Sequence, residues 1–151
     1  MKTSALVLGI DLGTTGVRIA LLDKQGKLIF TSAMAYPLGL ESAEDWKNCS
    51  TELIRAIPKK LSARIVALAI DATSGTLIAC DKRGNPLQPA LPYYMKCPEQ
   101  KQALLDLIQN ESPARSVSSS LARALRLISQ HGPDVLLRHQ ADWLNGWLLN
   151  H

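Results

Sequence analysis

The sequence has no apolar run long enough to span a bilayer, which excludes a transmembrane helix. Its first apolar stretch, Ala5 to Ile10, is too short for a signal peptide and has no small-residue cleavage site after it. The expected compartment is therefore the cytoplasm. Cysteine is sparse. Cys49, Cys80 and Cys97 are odd in number and form no CxxC pair, and His131, His139 and His151 stand at no zinc spacing. These gaps exclude a disulfide framework and a zinc module, and leave reduced thiols as the reading. No Gly-Lys-Ser/Thr triplet occurs, so a P-loop is excluded as well. Charge is not clustered. The 17 Lys and Arg against 13 Asp and Glu leave a net +4, scattered along 151 residues. That permits a nucleotide or nucleic acid partner without requiring one.

What is present is a globular balance, 46% hydrophobic and 20% charged. Residues 5–10, 17–22 and 27–35 read as β-strands separated by Gly13-Thr14-Thr15-Gly16 and by the turn Asp23-Lys24-Gln25-Gly26. Short connections make them an antiparallel meander. A helix is expected from Ser42 or Glu44 to about Ile57, limited by Pro58. Ile65 to Ile70 is nearly all apolar, which predicts a central strand buried on both faces and parallel to the first. A strand from Thr76 to Cys80 follows, then the turn 81–85 and a proline-punctuated stretch to Pro98. Helices are expected over 98–109, 118–130 and 134–149, the second capped by Ser118 or Ser119 and closed by Gly132-Pro133. In that second helix Leu121, Leu125 and Ile128 read as the core face, and Arg123 and Arg126 as solvated. Trp143 and Trp147 share a face by their i,i+4 spacing, with packing as the expected role.

One device occurs twice. Asp11 ends a strand and opens a loop of glycines and threonines, followed by a strand and an Asp-Lys-Gln-Gly turn. Asp71 does the same, with Thr73, Ser74 and Gly75 in the loop and Asp81-Lys82-Arg83-Gly84 as the later turn. Glycines admit a phosphate to backbone N–H groups, and Thr14 and Thr15 add hydroxyl donors. Asp11 is placed to hold Mg2+, directly or through water, between phosphates. Thr73 and Ser74 offer hydroxyls to a polyhydroxylated ligand at a strand end, where open α/β sheets bind ligands. The bland alternatives are a hairpin with a capping aspartate and a turn whose hydroxyls serve local backbone.

Gly9-Ile-Asp-Leu-Gly-Thr-Thr-Gly-Val-Arg18 resembles the first phosphate motif of the FGGY carbohydrate kinases, of the actin-like ATPase superfamily. The stretch from Ile70 to Pro86 is similar to the matching part of ketose kinases, most of all the pentulose and xylulose-kinase-like branch. Ser118 to Arg123 and Gln140 to Leu144 resemble two later helices of the same domain. The resemblance implies a ribonuclease-H-like α/β fold, a mixed sheet with strands 1–3 antiparallel and flanking helices. It implies an ATP-dependent, Mg2+-assisted kinase acting on a small sugar, such as ribulose or xylulose, with no nucleic acid or membrane partner. Asp11 would assist Mg2+ and phosphoryl transfer. Gly13, Thr14, Thr15, Gly16 and Arg18 would serve the nucleotide phosphates, and Asp71, Thr73 and Ser74 the sugar. The family's Gln-Met-His is missing near that loop, and Pro89 to Met95 lacks the acid some members carry.

The resemblance further implies that the 151 residues are an incomplete first domain. The aspartate base and the adenosine-binding second domain would lie beyond the segment matched by Asp142-Trp143-Leu144. The chain alone is then expected to be inactive, and an open sheet edge is expected to pair with a second copy or with a separate C-terminal half. Two other classes stay open. A ribonuclease-H-like nuclease of the Holliday-junction resolvase type would use Asp11 and Asp71 for two metals. A non-catalytic fragment would bind sugar or nucleotide without turnover.

Overall fold

Seven strand residues, Leu6–Leu12, open the chain as β1, and every second one points the same way. Leu6, Leu8, Ile10 and Leu12 are buried, as are Val17, Ile19 and Leu21 of β2 (Gly16–Asp23). The structure, a computed structural model, describes residues 4–109 and 111–150. Met1 to Thr3, Asn110 and His151 lie outside the described residues. The chain divides into two compact units, Met1–Ala72 and Thr73–His151.

In the first unit β1 pairs antiparallel with β2, and β2 with β3 (Leu28–Ala35), the expected meander. The helix α1 (Ala43–Arg55) begins at Ser42, whose side chain accepts from the N–H of Asp45. Buried Asp45 in turn accepts from the N–H groups of Leu38 and Gly39, at 2.6 and 3.1 Å, tying the entry loop to the helix. Ala43, Trp46, Cys49 and Leu53 are the buried apolar residues of α1, which packs on β2 and β3. Each such fully buried large side chain contributes roughly 1.5–3 kcal/mol. After Pro58 comes one short turn of helix, α2 (Lys59–Ser62), and then β4 (Ile65–Ala72), parallel to β1. The sheet order is β3-β2-β1-β4.

β4 departs from expectation. Its apolar run predicted burial on both faces, yet it is an edge strand, with Val66 72% and Leu68 41% exposed. An apolar run records what a strand can bury; neighbours on its edge and layers on its faces decide what it does bury.

In the second unit β5 (Leu77–Cys80) is buried throughout and pairs antiparallel with β6 (Leu136–His139), not with β4. The second occurrence of the repeated device is therefore not a hairpin. The two turns do match. Asp23 Oδ1 accepts from the N–H groups of Gln25 and Lys27, and Asp81 Oδ1 from those of Arg83 and Asn85. The Asn85 side-chain amide and then its backbone N–H hold the Asp81 carboxyl below the usual carboxylate range.

Helices α3 (Lys101–Leu107) and α4 (Ser120–His131) follow, the latter capped by Ser119 and closed by Gly132 at φ 89°. The helix expected over 134–149 is instead β6 and then α5 (Gln140–Leu149). Residues 136–139 extend because β5 offers them a partner ladder, a long-range term that local spacing cannot show. In α4 the core face is also displaced. Ala122, Arg123 and Leu127 are buried, Leu121 and Leu125 are partly buried against Cys97 and Leu104, and Ile128 is 38% exposed. Arg123, expected in solvent, is 2% exposed.

Candidate functional site

The first unit brings three charged residues into one row. Asp11 faces Arg18 across the antiparallel pair and Asp71 across the parallel pair. Arg18 Nη1 lies 3.7 Å from Asp11 Oδ2, both side chains substantially exposed. The row borders an open cavity of about 430 Å³ whose lining includes Gly9, Ala20 and Thr31. Asp71 keeps one carboxylate oxygen on the N–H of Ala72, at 2.9 Å.

The hairpin tip lies beside that row. Gly13 donates its N–H to Gly16 at 2.9 Å, closing the turn, and Tyr36 donates to the carbonyl of Thr15 at 3.0 Å. Thr14 and Thr15 are exposed, and their N–H groups have no acceptor among the described residues. A second cavity of about 250 Å³ is lined by Gly13, Thr15, Gly16 and Arg18, so Arg18 borders both. The glycines have separate reasons. A Cβ on Gly16 would fall on the carbonyl oxygen of Met34 and come within 2.9 Å of Ala35 Cα, so strand β3 demands that glycine. A Cβ on Gly13 would lie 3.4 Å from the Gly16 oxygen.

These groups fit a nucleotide phosphate with Mg2+. Unbonded N–H groups and an arginine suit the phosphates, and one or two carboxylates suit an ion whose other ligands come from phosphate and water. Among the described residues no group of three or more His, Cys, Asp or Glu is placed to hold a metal, so the acid cluster of a two-metal nuclease is not assembled there.

In the second unit the loop after β4 is held from several sides. Thr73 donates its backbone N–H and its hydroxyl to Gln140 Oε1, at 3.3 and 2.7 Å. The Thr73 proton is thereby spent, so in the 2.7 Å pair with Thr76 it is Thr76 that donates. Thr76 accepts from the N–H of Tyr93 at 3.2 Å. The chain runs Tyr93 to Thr76 to Thr73 to Gln140, each hydroxyl with a defined direction. Ser74 is left as the exposed hydroxyl of the loop. Gly75, at φ 85°, accepts at its carbonyl from Arg123 Nε at 2.9 Å. Arg123 Nη1 donates to the carbonyls of Met95 and Ser118, at 3.0 and 2.9 Å. Burial pushes the Arg123 guanidinium below the ordinary arginine value.

A cavity of about 450 Å³ adjoins this loop, with Ser74, Gly75, Tyr93, Ser118, Ser120 and Arg123 in its lining. Sequence reasoning named Ser74 in this loop and did not place Arg123, Gln140 or Tyr93 around it. One signal existed: Ser119, Arg123 and Leu127 fall at i,i+4 spacing, on one helix face. Trp143 takes the expected packing role, buried with its indole N–H on the carbonyl of Gly84 at 3.0 Å.

A family model described as the FGGY family of carbohydrate kinases, N-terminal domain, matches residues 6–125. The chain belongs to the FGGY carbohydrate kinase family. Solved structures agree with this FGGY domain in fold. A xylulose kinase from Bifidobacterium adolescentis superposes with a TM-score of 0.78 at 15% identity, covering 98% of this chain and 35% of that one. A glycerol kinase from Plasmodium falciparum, solved with ADP, gives 0.74 at 16%, covering 95% and 34%. A xylulose kinase from Rhodospirillum rubrum gives 0.75 at 16%, covering 93% and 33%. The FGGY domain described here spans about a third of each of those chains. Its fold is that of the actin-like ATPases, as the sequence motifs implied. No helix among the described residues is long and apolar enough to cross a membrane.

Proposed function

We propose that this FGGY domain is the N-terminal part of an ATP-dependent kinase that phosphorylates a ketose, a pentulose such as ribulose or xylulose. One observation carries the assignment: Asp71, Asp11 and Arg18 stand in one register row beside a hairpin tip whose Thr14 and Thr15 N–H groups have no acceptor among the described residues. In this proposal Thr14, Thr15 and Arg18 bind phosphate oxygens, with the backbone turn of Gly13 and Gly16 setting the direction of the N–H groups. Asp11 would hold Mg2+, directly or through water, and the ion would supply charge neutralisation for the phosphates. Ser74, Gly75 and the cavity beside them take the sugar, with Thr73 holding the loop, and Asp71 is assigned to the sugar on the family resemblance.

Phosphoryl transfer depends on positioning and on a proton acceptor for the attacking hydroxyl. No residue of either unit is assigned that last role, so the 151 residues alone should bind ligands and turn none over. The test is calorimetric titration of the chain with Mg·ADP and with D-ribulose and D-xylulose, beside an ADP-release assay. Binding of both ligand classes without turnover is the expected result. Absence of ketose binding, or Mg2+-dependent cleavage of a branched DNA lost in Asp11→Asn, would overturn the proposal.

A further inference from the structure

Arg123 is a buried cation with no carboxylate partner among the described residues. Nε and Nη1 bond three backbone carbonyls, those of Gly75, Met95 and Ser118. Each belongs to a different segment: the loop after β4, the stretch after Tyr93 and the approach to α4. Nη2 is not used in this way. It donates to no acceptor among the described residues. Ser50 Oγ is the only side-chain nitrogen or oxygen sealed from solvent without a partner among them, so Nη2 is not fully sealed. Arg123 lines the 450 Å³ cavity together with Gly75 and Ser120, the residues beside Nη2. Gly75 makes room for it, because a Cβ there would sit 2.9 Å from Nη2 and 3.0 Å from Ser120 Oγ.

We propose that Arg123 is a substrate-binding residue, its Nη2 donating to a sugar oxygen at the floor of this cavity. The proposal rests on reading the cavity as the sugar side of the kinase. The physical case has two parts. The three carbonyls fix the plane of the guanidinium before any ligand arrives, so little side-chain freedom is lost on binding. A buried cation that keeps two N–H groups unbonded gains most from an acceptor oxygen supplied by the ligand. Lysine keeps the charge but cannot hold three carbonyls and still present a directed donor.

The experiment compares wild type with Arg123→Lys by calorimetric titration, using D-ribulose, D-xylulose and their monodeoxy analogues, with Mg·ADP as a control ligand. Arg123→Lys should weaken ketose binding about tenfold or more and leave Mg·ADP binding unchanged. One monodeoxy ketose should lose about tenfold against wild type and lose nothing further against Arg123→Lys, a pattern that a purely structural residue does not produce. If every deoxy penalty persists in Arg123→Lys, the assignment to Arg123 falls while the sugar reading stands. If wild type binds no ketose, both fall. Should the variant fail to fold, nitrogen-resolved NMR of the wild-type arginine side chains decides. The Arg123 N–H signals should shift with the ketose and not with that analogue, and unshifted signals overturn the proposal.

Discussion

Thr73 donates its hydroxyl to Gln140 Oε1 at 2.7 Å, across 67 positions of sequence. The same oxygen faces the Thr73 N–H, which requires an acceptor there and fixes the orientation of the amide. Gln140 is fully buried, at the first residue of α5. Gln140→Leu would leave both Thr73 donors without their acceptor and should destabilise the fold by roughly 1–3 kcal/mol. Thr73→Val should cost less in the Gln140→Leu background than in wild type. Urea unfolding followed by tryptophan fluorescence checks both, and strict additivity would show that the two residues are not coupled.

The two glycines of the first loop should behave unequally. Gly16→Ala drives a methyl group into the β3 backbone and should cost roughly 1–3 kcal/mol. Gly13→Ala meets only the Gly16 oxygen at 3.4 Å and should cost less. Urea midpoints of the two variants give the comparison; equal midpoints would remove the β3 explanation for Gly16.

Asp11→Asn separates stability from ligand binding. The side chain is 49% exposed and its ion pair with Arg18 spans 3.7 Å, a surface contact of about 0–1 kcal/mol. The melting temperature should therefore stay close to wild type. The Mg2+-dependent part of ADP binding should be lost, while the weaker metal-free binding remains. Titration with and without Mg2+ measures it, and an unchanged Mg2+ effect would take Asp11 out of the metal role.

Cys80 sets an alkaline limit. Burial pushes its thiol from 9.0 up to about 11, against the opposing pull of Arg138. The unfolded thiol loses its proton first as pH rises. Stability from this group is complete below about pH 9 and declines between there and about pH 11. The Cys49 thiol is raised in the same sense, chiefly by burial. Cys80→Ala should flatten part of the decline in urea-unfolding free energy over that range. A profile identical to wild type would assign the limit to other groups.

The meander, the aspartate-capped turns at Asp23 and Asp81, the Ser42 and Ser119 caps and the glycine-threonine loop were all legible from residue order. Each depends on neighbours a few positions apart, and short-range chemistry is written directly in sequence. The pairing of β1 with β4 also followed, because a crossover through α1 returns a strand parallel. Residues 136–139 were misread because their partner, β5, lies some 60 positions earlier. Arg123 was misread because arginine is usually solvated, and three carbonyls from three distant segments reverse that preference.

By itself the sequence determined the family, the glycine-threonine loop and the order of strands β1 to β5, since those rest on local spacing and residue type. Tertiary structure alone decided that Thr73 serves Gln140, that Gly16 answers to β3, and that Arg123 lines a cavity. The physical reason is that hydrogen-bond satisfaction and steric exclusion act between atoms close in space, whatever their separation along the chain.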